Sequence, residues 1–503
     1  MTTRFYETVI IGTGFSGIAA ARELLVAGHS DFLILEQAEE VGGVWRENRY
    51  PNAACDVPAH LYSLSFSLNP EWSCNFAGWS EILAYMNAVV DELGIREQIA
   101  FDTKVVAAHW DGDLEMWEVT LDDATALRCK YFISGVGAIS RPLIPDLPGM
   151  SDFRGEIIHT AKWHSGIDLS HKRVAVIGAG ASAIQVVPYA VDSADAVLAV
   201  IRTAPYVVPK PEEFYDEEDK RFFREHPEVL QEKRRIIYDE FNISTDASAA
   251  MDAEFLDRAT AVWKQHMESA IEDPELRRIL TPDYRYGCRR PALSNIYYPA
   301  LANPKTTVWD DVVVAFTESG VVGADGREWD ADVVVLATGF RATEMFAGVT
   351  YSGARGVLLH EKWAGTPEAY KGTLVPEFPN LFLMAGPNTQ AAGSIIGVIE
   401  AQARMVVDLI TTAECNGSGT IQVTEQAQRE YNDWLDEKMA GSVWEAGGCR
   451  SWYRVDGSGK VVIRFPASLA AFERLTARID ADDILFGGAG TAGDGGRLVA
   501  TTP

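Results

Sequence analysis

The sequence is short of cysteine, of positive charge and of long apolar runs. Its 503 residues hold six cysteines (Cys55, Cys74, Cys129, Cys288, Cys415 and Cys449), scattered and with no CxxC pair. That spacing suggests neither a zinc site nor a disulfide framework, and it makes a reducing cytoplasm the expected location. Lys and Arg number 44 against 72 Asp and Glu, a net charge of −28. A surface that acidic repels phosphate backbones and anionic membranes, so neither nucleic acid nor a membrane is an expected partner. No apolar run reaches the roughly 18–20 residues that a bilayer span needs. The first residues, Met-Thr-Thr-Arg-Phe-Tyr-Glu, lead straight into a strand pattern, with no signal peptide visible. HExxH, GxSxG and P-loop lysine motifs are missing, which removes zinc-protease, serine-hydrolase and P-loop chemistry. No metal ligands and no obligatory protein partner suggest themselves. What remains is ordinary globular composition, 47% hydrophobic and 23% charged, with length for two or three domains.

Two stretches repeat one pattern. Glu7-Thr8-Val9-Ile10-Ile11 reads as a buried parallel strand and is followed by Gly12-Thr13-Gly14-Phe15-Ser16-Gly17. A small-residue helix follows, stopped at Gly28, and then a strand, Phe32 to Leu35, that ends in Glu36. This is the βαβ fingerprint of dinucleotide binding. Gly12 permits the tight turn, Gly14 lets the backbone approach a pyrophosphate, and Gly17 lets helix and strand pack closely. The helix N-terminus, with Phe15 and Ser16, supplies N–H groups for the phosphate, and Glu36 accepts from a ribose diol. The second copy runs Arg173-Val174-Ala175-Val176-Ile177, then Gly178-Ala179-Gly180-Ala181-Ser182-Ala183, a helix, and a strand ending in Arg202-Thr203. Gly12 to Glu36 and Gly178 to Arg202 both span 24 residues, with opposite charge at the end. An acid suits a free ribose and an Arg suits a 2′-phosphate, so the first unit should hold FAD and the second NADPH.

Between the two loops lies Phe153-Arg154-Gly155-Glu156-Ile157-Ile158-His159-Thr160-Ala161-Lys162-Trp163. It resembles the fingerprint of the Baeyer–Villiger monooxygenases, F-x-G-x-x-x-H-x-x-x-W. In the sister family of N- and S-oxygenating flavin monooxygenases the last aromatic is usually Phe or Tyr. Gly42-Gly43-Val44-Trp45 through Tyr50-Pro51-Asn52 to Asp56 resembles that family's G-G-x-W-x-x-x-x-Y-P-G-x-x-x-D segment, which lies over the flavin. Asn52 stands where Gly is usual, and Asn tolerates the left-handed angles the turn needs. Cys288-Arg289-Arg290-Pro291 resembles the family's K-R-P segment. Cys449-Arg450-Ser451-Trp452-Tyr453 resembles its C-x-S-W-Y loop, whose Trp452 closes on the nicotinamide nucleotide. After Trp163 the family prefers Pro or Asp, and this chain has His164.

The resemblance implies an α/β fold with two Rossmann-like dinucleotide-binding domains, for FAD and NADPH, and a helical insertion. The FAD domain is expected over 1–150 and 381–503, joined through the linker Ser134 to Gly149. The NADPH domain is expected over 151–380, with a helical subdomain at about 211–282. Asp332 to Phe340 resembles the family's D-x-x-x-x-A-T-G-F strand, which places Thr338 and Gly339 beside the nucleotide. The tail from Gly487 to Pro503 reads as mobile. The implied reaction uses FAD, NADPH and O2 to insert one oxygen beside a ketone carbonyl, through a C4a-peroxyflavin, giving an ester or lactone. Arg290 is the implied catalytic cation, positioned by Asp56, and Arg289 helps Arg202 and Thr203 with the 2′-phosphate. His159 takes a hinge role. Two rival readings stay open: oxygenation of sulfur or nitrogen by the same cofactors, and a weakly coupled NADPH oxidase or redox sensor.

Overall fold

Strand β1 (Arg4–Ile11) loses its solvent exposure along its length, and Val9 and Ile10 have none. Parallel strands are covered on both faces, which is why this run is continuously apolar and not alternating. The computed structural model describes residues 4–391 and 393–487. After β1 come helix α1 (Phe15–Val26) and strand β2 (Phe32–Leu35), which lies parallel to β1 with Thr8 opposite Phe32. Short helix α2 (Val44–Glu47) and helix α3 (Trp79–Glu92) lead to β3 (Ile99–Ala100). An antiparallel run then follows, β4 (Val105–Asp111), β5 (Met116–Leu121) and β6 (Ala126–Ser134), with β6 returning parallel to β1.

The second sheet opens with β7 (Glu156–His159). Strand β8 (Arg173–Ile177), helix α4 (Ala181–Ser193) and strand β9 (Ala196–Val200) repeat the βαβ unit, with Arg173 opposite Ala196. Four helices then leave the sheet: α5 (Glu217–Glu225), α6 (Pro227–Ala249), α7 (Ala253–Ala270) and α8 (Pro274–Ile279). A short parallel ladder of Val207–Val208 with Ala292–Leu293 closes the base of this insertion. Strands β10 (Thr306–Trp309) and β11 (Val333–Leu336) complete a five-stranded parallel sheet in the order β10-β9-β8-β11-β7.

The chain returns to the first sheet earlier than residue 381. Strand β12 (Thr350–Ser352) pairs with β4 across Ala107 to His109, before β13 (Leu381–Leu383) pairs with β6. A three-residue Thr-Tyr-Ser strand carries no apolar run, so the pattern of the sequence hides it. Helix α9 (Ile395–Cys415) then packs along α1. Residues 488–503, nearly all of the tail read as mobile, lie outside the described residues. No helix of the described residues is long and apolar enough to cross a membrane.

Candidate active site at the junction of the two nucleotide units

The two glycine loops differ in what each glycine is for. Gly12 has φ +91°, and a Cβ there would meet the Gly135 carbonyl at 2.8 Å; a Cβ on Gly17 would drive into the Gly12 carbonyl. Gly14, by contrast, has only the Gly43 Cα nearby, at 4.0 Å, and caps α1 with no side chain over the helix N–H groups. That open end fits a pyrophosphate. Phe15 and Ser16 are buried, and Phe15 packs edge-on against Tyr62. Trp45 in α2 donates its indole N–H to the same Tyr62 hydroxyl at 3.1 Å. Glu36 is buried at the end of β2, but its carboxylate already accepts from Thr13 N and Oγ1, Ala38 N and Arg46. Four donors fill a carboxylate, so a ribose hydroxyl must share or displace one of them.

In the second unit Gly178 has φ +128°, and its Cα lies against the Ala337 carbonyl. Gly180 has nothing within 4 Å of a built Cβ; Gly180 and Ala181 are exposed and Ser182 half-buried at the uncapped start of α4. Arg202 and Thr203 follow β9. Arg289 comes to the same place: burial lowers its pKa, and so does the charge of Arg202. Among the described residues neither arginine has an ion pair. Two unpaired cations beside an open helix N-terminus fit a 2′-phosphate and a pyrophosphate.

Asp56 and Arg290 meet in a two-pronged pair. Arg290 donates from Nε to one carboxylate oxygen at 2.6 Å and from Nη2 to the other at 3.1 Å. Burial opposes the charged guanidinium, yet the Asp56 carboxylate outweighs it, and the pKa of Arg290 sits above its usual value. Arg290's side chain keeps 25% exposure and that of Asp56 37%, so the pair is partly open to solvent. Tyr453 accepts the backbone N–H of Arg290 at 3.1 Å, and Arg289 donates to the Arg450 carbonyl at 2.6 Å. Trp452, 42% exposed, leans on the Tyr453 ring at 4.7 Å.

A disulfide joins Cys288 to Cys449, Cα atoms 6.0 Å apart and 161 residues apart in sequence. This corrects the expectation that no disulfide would form. The spacing carries no signal, because the fold alone brings the Arg289–Arg290 segment against the Trp452 loop. Among the described residues no group of acidic, His and Cys side chains is arranged to hold a metal.

The segment between the loops works by packing. Phe153 stacks edge-on with Phe316, and Gly155 lies too close to the Asp332 carbonyl for any Cβ. His159 is buried, accepts from Ala161 N on Nδ1 and reaches the Gly339 carbonyl from Nε2 at 3.1 Å. Burial lowers its pKa, so it is the neutral tautomer that ties β7 to the end of β11. Thr338 donates to the Leu143 carbonyl in the linker, and Gly339 has φ +83°. Trp163 packs on Tyr189 of α4. His164 is exposed, which explains why a departure there leaves the fold untouched. Asn52 takes φ +62°, in the left-handed region.

Residues 6–231 match the flavin-binding monooxygenase-like family model. A Baeyer–Villiger monooxygenase of Streptomyces coelicolor is 39% identical over 476 residues, 94% of this chain and 91% of that protein. One from Pseudomonas aeruginosa is 38% identical over 481 residues, with 95% and 91% coverage. The chain belongs to the Baeyer–Villiger monooxygenase family. It is a flavin- and NADP-dependent monooxygenase with the fold of its class. Among solved structures, a cyclohexanone monooxygenase from a Rhodococcus species bound to NADP+ superposes with TM-score 0.87. It is 28% identical, with 97% of this chain and all of that one covered.

Reading the family motifs did not reveal how the two units are clamped. Gln185 of α4 accepts from Tyr50 Oη at 2.8 Å and donates to the Ala54 carbonyl at 2.9 Å, while Asn52 reaches the Gln185 carbonyl. Tyr50 and Asn52 flank the turn before Asp56, so the helix under the second nucleotide holds the loop that carries the first unit's carboxylate. The only hint in the sequence was a polar residue facing inward two positions after the second glycine loop.

Proposed function

We propose that this monooxygenase inserts one atom of O2 beside the carbonyl of a ketone, giving an ester or lactone, with Arg290 as the catalytic cation and Asp56 as its positioning partner. The two-pronged, partly exposed Arg290–Asp56 pair is the observation that carries this reading. FAD on the first unit, reduced by NADPH on the second, supplies the oxygen-activating chemistry when bound. The open helix starts at Gly14 and Gly180 support that division, and Arg202, Thr203 and Arg289 support the 2′-phosphate.

The chain's own part is electrostatic. A guanidinium stays protonated at any working pH, so Arg290 acts by charge and hydrogen bonds on the negative charge that develops at the reacting oxygens. Asp56 fixes both prongs, so the cation does not have to reorganise during the reaction. Tyr453 pins the backbone of Arg290, and Trp452 sits where its loop can cover the cleft and exclude water. His159 holds a proton on Nε2 for the Gly339 carbonyl and takes no part in proton transfer. The FAD-binding domain comprises residues 1–150 and the segment from about 350 onward, and the NADPH-binding domain lies between them with its helical insertion. An NADPH-dependent enzyme with this acidic surface belongs in the cytoplasm, free of nucleic acid and membrane.

Arg290→Ala tests the assignment. Ester formation should fall by about 10²–10³-fold, the effect of removing one fixed oxyanion donor, while NADPH still bleaches the flavin. Arg290→Lys should rescue little, since an ammonium cannot make the two-pronged contact. Ester formation by Arg290→Ala at the parent rate would remove Arg290 from the reaction. Sulfoxide as the sole product across a panel of ketones and thioethers would move the enzyme to heteroatom chemistry.

A further inference from the structure

Other buried arginines in this chain are well provided for. Arg234 donates to the carbonyls of His60, Leu61 and Ser63 and faces Glu400. Arg454 donates to the carbonyls of Trp444, Glu445 and Gly459 and reaches the Glu445 carboxylate. Arg464 has no such partners. It is 2% exposed; its Nε is buried without a hydrogen bond, as is that of Arg454, but among the described residues its guanidinium makes no ion pair. Its guanidinium lies over the ring faces of Trp444, at 4.4 Å, and Tyr453, at 5.4 Å. Ring faces recover part of what a buried cation loses in leaving water, not all of it. Gln390 pairs with Arg464 across a backbone bridge, and its side-chain Oε1 is likewise buried without a partner.

This unpaired charge lies next to the residue that holds the Arg290 segment. Tyr453, whose ring carries Arg464, is the residue whose hydroxyl accepts the backbone N–H of Arg290. The two guanidinium groups sense each other: burial brings the pKa of Arg464 down to about 10, Tyr453 opposes that, and Arg290 adds to it. Asp56, the carboxylate beside Arg290, is already taken by that residue, and no carboxylate is among the charges that act on Arg464. Gln390 follows β13 at the carboxyl end of the first sheet, the edge at which open α/β sheets bind ligands. The guanidinium Nε of Arg464 and the side-chain oxygen of Gln390 are thus left unmatched side by side. The phosphates of both nucleotides have their own places, at the helix starts and at Arg202 and Arg289.

We propose that Arg464, with Gln390, binds a carboxylate on the substrate, so that the preferred ketones are oxo acids. This rests on the ketone-oxygenating reading above. A guanidinium fork matches a carboxylate, and a buried anchor of this kind penalises any substrate that leaves it unpaired.

The experiment compares a short series of cyclic and linear oxo acids, the carboxylate at different distances from the ketone, each with its methyl ester. In the parent holoenzyme at least one acid should show a kcat/KM about tenfold or more above its ester. In Arg464→Gln the acid-to-ester ratio should fall roughly 10- to 100-fold through KM, the range of a charged hydrogen bond. Arg464→Lys should keep part of the preference. Gln390→Leu, which leaves the cation in place, gives a second variant should Arg464→Gln fail to fold, and should lower the ratio by a smaller factor. Binding is read separately, from the change in flavin absorbance as each acid is added to oxidised holoenzyme without NADPH. Acids bound in an Arg464-dependent way with no ketone oxygenated would keep the anchor and sink the ketone reading. Esters turned over as well as acids, or acid affinity equal in parent and Arg464→Gln, would overturn the anchor while leaving the ketone reading intact.

Discussion

Arg202 ends its strand exposed, with Arg289 close by and no carboxylate paired to either among the described residues. On the proposed reading that cation serves a 2′-phosphate, and a nucleotide lacking the phosphate gains nothing from it. Arg202→Ala should therefore raise KM for NADPH about tenfold or more, one charged hydrogen bond's worth, and leave KM for NADH close to the parent value. Steady-state kinetics with both nucleotides check this, and an equal loss with NADH would mean that Arg202 merely supports the fold. At this scale much was legible. The acid and base at equal spacing, the Asn at the turn and the Asp–Arg pair were all readable, because each is fixed by the type of residue at a set distance from a motif. Arg464 was not legible, because its meaning lies in the partners it lacks, and a sequence does not show absent partners.

Two contacts decide how the elements behave. The insertion docks on the first unit at His60, which hydrogen-bonds the Tyr215 hydroxyl at 3.1 Å and packs on Phe223 of α5. Burial, with the charge of Lys233 behind it and Glu213 opposing, lowers the His60 pKa to about 4. In the unfolded chain the same group titrates near 6.5. Its folded pKa is depressed, so stability is full above about pH 6.5 and declines as pH falls, and the loss is complete once the pH passes the folded value near 4. The window amounts to about 3 kcal/mol. Urea unfolding at several pH values between 4 and 7.5 should show this slope, and His60→Phe should flatten it; an unchanged slope in the variant would assign it to other groups. The second contact is the Cys288–Cys449 bond between the Arg290 segment and the Trp452 loop. Of the six cysteines only Cys415 is free and exposed, while Cys55, Cys74 and Cys129 are free and buried. Air-prepared protein should titrate one thiol when native, four when denatured and six after reduction. Six in the denatured, unreduced protein would show the pair to be thiols in contact, the state a reducing cytoplasm favours. The strands and helices flanking the glycine loops were visible in the sequence, because their apolar runs repeat with the right period. The three-residue strand at Thr350 and the 161-residue disulfide were not, since both depend on contacts made only after the chain has folded.

For the whole molecule the question is how two nucleotide units act as one enzyme. FAD on the first unit and NADPH on the second would have to act on one another across the junction where Arg290 meets Asp56. Several contacts couple the units, and Gln185 is the one that starts from the helix of the second glycine loop. It sits one turn into the helix whose start faces the second nucleotide, and it clasps Tyr50 and Ala54 just before Asp56. Each of those bonds is worth about 1 kcal/mol net, and truncation would strand the hydroxyl of a buried tyrosine and a carbonyl as well. Gln185→Ala should thus loosen the register between the units by about 2 kcal/mol, with each unit's core untouched. The expected result is a fall in coupling: less ester and more hydrogen peroxide per NADPH oxidised, with flavin content retained. Gln185→Glu keeps an acceptor for Tyr50 and loses the donor to Ala54, so it should lie between the two. Product and peroxide measured together against NADPH consumed give the answer. If Gln185→Ala couples as well as the parent, the units are held in register elsewhere, and the linker contacts of Thr338 and Gly339 with Leu143 become the place to cut next.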